Sequence, residues 1–152
     1  MDERDEIILA EAARWQELDE LLGHLPLERM EDPTLNAEGW SVKDLLWHLA
    51  YWCVDAERAF VAIRAGTFEP RNEPEATPWF DPINDAELER SRAMTLEEVR
   101  GAWLGARTAM LERFGELTEP SAQANGRLAE CGPSHYADHL PELRAFLTPA
   151  GG

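Results

Sequence analysis

Four stretches of this 152-residue chain place apolar side chains at steps of three and four, the period of an amphipathic helix that buries one stripe. The first runs Ile8, Ala12, Trp15, Leu18, Leu22 and Leu25, one stripe of a helix expected over residues 3–23. The second opens at Ser41, whose hydroxyl can cap the amide of Asp44 while that carboxylate reaches back, and continues to Ala65, ahead of Gly66. A third opens at Thr95, with Glu98 three residues on, and carries Leu96, Val99, Trp103, Ala106, Met110, Phe114 and Leu117 on one side. The last begins near Gly132-Pro133-Ser134, where proline suits a first turn, and carries Tyr136, Leu140, Leu143 and Leu147. Pro141 falls inside it, and its missing amide predicts a kink or loosening just after His139.

The connections at 24–40 and 67–94 hold Pro26, Pro33, Pro70, Pro74, Pro78 and Pro82 without an alternating apolar pattern, so no strand is expected. Burying one stripe from each helix gives an all-α four-helix bundle, with long connections after helices 1 and 2. The length suits a single core, so one domain is expected over 1–152, with a frayed tail at 148–152. The second helix is apolar twice over: Leu45, Leu49, Trp52, Ala56, Phe60 and Ile63 cluster on one side, and Trp47, Ala50, Val54 and Val61 nearly opposite. One bundle core covers only one of these faces. The other is expected either beneath a long connection or against a second copy, as a homodimer through Trp47, Val54 and Val61.

Charge narrows the function classes. Fourteen basic residues against 30 acidic give −16, a field that repels phosphate backbones and anionic lipid, so neither nucleic acid nor membrane is an expected partner. No apolar run approaches the ~20 residues a bilayer requires, and the start MDERDEII lacks the layout of a signal peptide. A cytoplasmic protein is expected. Cys53 and Cys131 lie far apart with no CxxC partner, and read as buried free thiols.

The chemistry-bearing residues are histidines. Of the four, His135 and His139 in His-Tyr-Ala-Asp-His are four apart, which stacks both imidazoles on one helix face, where they can converge on one ion. Tyr136 occupies the place of the glutamate in HExxH, which excludes chemistry of the zincin type. A third ligand is needed, and His48 on the second helix, beside the core stripe, suits it. His24, near the end of the first helix, reads as a partner of that helix's negative C-terminus.

The segment Trp40-Ser-Val-Lys-Asp-Leu-Leu-Trp-His48-Leu-Ala-Tyr-Trp, together with His135-Tyr-Ala-Asp-His139-Leu-Pro-Glu-Leu-Arg, resembles the DinB/YfiT-like superfamily, which includes the N-terminal domain of mycothiol-dependent maleylpyruvate isomerase. The resemblance implies up-down-down-up connectivity, frequent homodimers, and a divalent metal, zinc or nickel, held by His48, His135 and His139. It also implies action on low-molecular-weight thiols such as bacillithiol, mycothiol or glutathione, or else hydrolysis.

Three neutral imidazoles leave coordination positions open, the arrangement of catalytic rather than structural zinc. Such a site can activate a thiol towards a small electrophile, or water towards a small amide or ester. A third reading is a non-catalytic dimeric stress-response protein that holds a metal for stability. Around the ligands, Glu142, Asp44 and Asp55 are candidates to orient an imidazole or relay a proton, against the alternative of solvated surface charges. Asp138 is expected to point outward. Trp52 and Tyr136 are candidate walls of a small-molecule pocket, Trp52 alternatively packing in the core. That pocket is expected where the long connections cover one end of the bundle, with Trp79 and Phe80 as a lid or as a pin holding the connection to the core.

Overall fold

The computed structural model describes residues 1–70 and 79–148, and among these every regular element is helical. Six α-helices follow in order: α1 (Glu3–Gly23), α2 (Val42–Ala65), α3 (Asp81–Arg92), α4 (Leu96–Gly115), α5 (Ala122–Cys131) and α6 (Pro133–Leu147). Four begin at a side-chain cap written into the sequence. Asp2, Ser41, Thr95 and Ser121 each accept from the backbone amide three residues on, and at Ser41 the Asp44 carboxylate completes the capping box. The other two, α3 and α6, carry Pro82 and Pro133 in their first turn, where a missing amide costs no hydrogen bond.

α2 is the central element. It packs most extensively against α4 and also meets α3 and α5, while α1 packs against α6. Leu45, Leu49 and Phe60 of α2, Val99, Met110 and Phe114 of α4, and Leu140 and Leu143 of α6 are buried almost completely. Among the described residues no helix is long and apolar enough to cross a membrane.

The structure has the four expected helices, as α1, α2, α4 and α6, and adds two more. α3 lies within the stretch expected as a connection, because it buries only Glu87 and Ser91 and so has no apolar stripe to read. α5 is short, buries Ala124, Leu128 and Cys131, and abuts α6 at Gly132, which ends one helix and begins the next. A Cβ on Gly132 would stand 2.8 Å from the Leu128 carbonyl oxygen and 3.3 Å from Glu11 Cγ, so the tight junction requires glycine.

Smaller corrections follow the same logic. Ile8 and Ala12 are exposed, and α1 is turned so that Glu11, 1% exposed, lies inside. Arg107 of α4 grips Glu11 with two hydrogen bonds of 2.6 and 2.9 Å, and the Tyr136 hydroxyl donates a third at 3.1 Å. This buried pair joins α1, α4 and α6 in one register. α6 runs through Pro141 to Leu147 and buries Phe146 where Leu147 was expected, Leu147 being only partly covered. The second apolar face of α2 is partly covered by α3: the Trp47 indole donates to Glu87 at 2.9 Å, Val54 is half-buried and Val61 stays exposed. Pro74, Pro78 and residues 149–152 of the expected tail lie outside the described residues.

Candidate metal centre

The capping box fixes where α2 starts, which places His48 on its second turn, 8% exposed and facing α6. The Gly132 junction fixes where α6 starts, so His135 is its third residue and His139 lies one turn on. From these two helices the three imidazoles converge, with one ring nitrogen of each within 4.8 Å of the others. Ring centroids are 4.7 to 5.1 Å apart, and the Trp40 ring meets His48 edge-on at 5.0 Å. His48 Nε2 and His135 Nε2 are 2.8 Å apart, so in this form one of them carries the shared proton.

Burial first, and then the mutual repulsion of the rings, hold His48 down to about 2 and His135 to about 3, well below a free imidazole. The first turn of α6 adds to this, because the positive end of its dipole disfavours imidazolium at His135. His139 Nδ1 lies 2.7 Å from the Glu142 carboxylate, which orients that ring and leaves its Nε2 for the cluster.

These residues fit a divalent ion. Bonds of about 2.0–2.1 Å from one ion to three imidazoles place the ligand nitrogens roughly 3 to 3.4 Å apart, and the observed spacings bracket that range. Neutral nitrogen donors with one carboxylate behind them form a set suited to a divalent transition metal.

The cluster opens on a cavity of about 620 Å³ walled by Trp40, Trp52, Trp79 and Phe80. Both expected connections contribute: Glu38 and Trp40 come from one, Trp79 and Phe80 from the other. Trp52 serves wall and core together, being 8% exposed, with its indole donating to Asn84 at 2.9 Å and its ring meeting Trp79 edge-on. Tyr136 is different. It is fully buried, points to Glu11 and the edge of Trp103, and does not line the cavity.

The carboxylates sort similarly. Asp44 neither orients His48 nor faces solvent: it accepts from the Ser41 amide and hydroxyl at 2.9 Å each and from the Ser91 hydroxyl at 2.6 Å. Asp55 stands on the cavity wall in an ion pair with Arg127 at 2.7 Å, two helical turns beyond His48. Asp138 is exposed, as expected, but at the cavity mouth. His24 is the exposed C-cap of α1. Both cysteines are buried, and no disulfide joins them. Burial pushes the Cys53 thiol up to about 12, while Cys131 borders the cavity. Sequence reasoning missed Arg127 and Asn84, which sit on helices it did not find.

An all-helical fold with three histidines gathered from its second and last helices is of the DinB/YfiT-like class. The chain belongs to the family of the mycothiol maleylpyruvate isomerase N-terminal domain, which it matches over residues 12–145. A crystal structure of an uncharacterised protein from Escherichia coli UTI89 superposes with a TM-score of 0.77 over 93% of this chain and 91% of that one. At 15% identity that likeness shows the fold alone. No curated protein matches the chain in sequence.

Proposed function

We propose that this protein is a divalent-metal-dependent enzyme that transfers a low-molecular-weight thiol, of the bacillithiol, mycothiol or glutathione kind, to a small electrophile. The observation that carries the reading is the convergence of His48, His135 and His139 on one point beside an aromatic-walled cavity. Family membership supports it, since the matched domain is named for a mycothiol-dependent isomerase. An ion held by these residues supplies Lewis acidity that lowers the pKa of a thiol reaching it.

The chain's own residues do the rest. Burial keeps His48 and His135 as neutral donors, and Glu142 sets the ring of His139. The tryptophan wall gives the reacting end of a bound molecule an apolar surrounding, which strengthens electrostatic interactions there. Two buried cysteines with no disulfide between them accord with the reducing cytoplasm in which such thiols are kept.

Elemental analysis of freshly purified protein should find one zinc or nickel ion per chain, and a His48→Ala variant should lose it. Metal-loaded protein should then conjugate at least one of the three thiols to an electrophile, and chelation should stop the reaction. A wild-type protein that takes up no divalent metal would overturn the proposal. Ester or amide turnover without thiol would replace transfer by hydrolysis.

A further inference from the structure

The cavity has two chemically different ends. One is the histidine cluster, and the other is Arg127 of α5, whose Nη1 donates to Asp55 Oδ2 at 2.7 Å. The two side chains are 18% and 14% exposed. Asp55 is seven residues beyond His48 on the same stripe of α2, so the pair stands about 10 Å further along the helix axis. A guanidinium carries five N–H donors in a planar fork. Asp55 takes one, and Arg127 has no second hydrogen-bond acceptor among the described residues; its further contact is the Phe68 ring, at 6.0 Å from the centroid.

A largely buried cation with most of its fork unused, on the wall of a cavity lined with indoles, is a recognition group rather than a simple tie between helices. We propose that Arg127 determines specificity by anchoring a carboxylate at the end of the ligand remote from the histidines. This rests on the reading of the histidine end as the place where a thiol is bound.

A carboxylate fits better than a phosphate. Asp55 already places one negative charge against the guanidinium, and Glu38, Glu130 and Asp138 stand exposed around the mouth. A singly charged, planar group matches the fork, while a doubly charged one meets repulsion from all four carboxylates. The exposed three are screened by salt, and the pair at Arg127 much less so.

The test compares 6-mercaptohexanoate with 6-mercapto-1-hexanol, which share chain length and differ at the remote end. Both are titrated into cobalt-loaded protein, with dissociation constants read from tryptophan fluorescence and thiolate ligation read separately from cobalt absorption. The carboxylate should bind about tenfold more tightly. That preference should vanish in Arg127→Met and return only in part in Arg127→Lys, which keeps the charge and loses the fork. Equal affinities in the wild type, or failure of both compounds to bind, overturn the proposal whatever the variants do. A retained preference in folded Arg127→Met overturns it as well, since a purely structural ion pair would change stability and leave the ratio alone. If cobalt shows no thiolate absorption with either compound, the thiol reading of the histidine end falls, and the fluorescence ratio still decides Arg127.

Discussion

Glu142 and Glu11 show two uses of a carboxylate in one small protein. Glu142 sits 2.7 Å from His139 Nδ1 with its side chain 25% exposed, so its effect is on one ring more than on the fold. Glu142→Gln should therefore weaken metal binding by about 10–100-fold while barely moving the stability of the metal-free protein, measured by chelator competition and urea unfolding. An unchanged affinity would mean that the carboxylate does not set the ring. Glu11 is the reverse case. Its removal in Glu11→Ala leaves the Arg107 guanidinium and the Tyr136 hydroxyl buried without their acceptor, and should cost about 3–5 kcal/mol in the same unfolding assay. The histidines themselves give a pH dependence whose sign can be worked out. His48 and His135 titrate near 6.5 in the unfolded chain and at about 2 and 3 in the folded one. Below 6.5 the unfolded metal-free chain thus binds protons that the native one does not. Stability should be full above pH 6.5 and fall below it, by about 1.4 kcal/mol per pH unit for each ring. Equal urea midpoints at pH 7 and pH 5 would show that neither ring is held neutral.

Among the elements, α3 is attached differently from the rest. It buries Glu87 and Ser91 rather than an apolar stripe, and it holds α2 through Trp47–Glu87, Trp52–Asn84 and Asp44–Ser91 hydrogen bonds. The neutral Trp52–Asn84 bond contributes about 0.5–1.5 kcal/mol net and each bond to a carboxylate about 1.5–3, with no fully buried apolar stripe behind them, so α3 should open at lower free energy than α2 or α4. In native-state hydrogen exchange its amides should exchange before those of α2 and α4, and Glu87→Ala should speed α3 further without altering α4. Uniform protection across the three helices would contradict this. The same polar docking explains what could be read from the sequence. α1, α2, α4 and α6 announce themselves by apolar period and by the caps at Ser41 and Thr95, because those signals are local. α3 carries no such period, and α5 is too short to establish one, so only packing reveals them. The rotation of α1 is hidden for a related reason: Glu11 is inside because Arg107 and Tyr136, distant in sequence, meet it there. In the site, the paired histidines are a spacing motif on one helix and legible as such, whereas Arg127 joins the cavity only through a contact 72 residues away in sequence.

At the scale of the whole molecule the dominant quantity is net charge. Thirty acidic residues against 14 basic ones leave an excess of 16 negative charges, more than the exposed pairs such as Arg14–Glu17, Arg92–Glu89 and Arg144–Glu17 can offset. Self-repulsion of this size opposes the compact state, which crowds the charges, more than the expanded chain. Salt should relieve it, since the screening length shrinks from about 30 Å at 0.01 M to about 8 Å at 0.15 M. The Glu11–Arg107 pair, with its carboxylate buried and its guanidinium partly so, should lose less over the same range, and exposed pairs contribute at most about 1 kcal/mol each. The midpoint of thermal unfolding should therefore rise as sodium chloride is raised between these two concentrations, with most of the gain at the low end. A midpoint that falls instead would mean that attraction within surface ion pairs outweighs the net repulsion. The acidic excess would then be distributed so evenly among the arginines that it does not strain the fold.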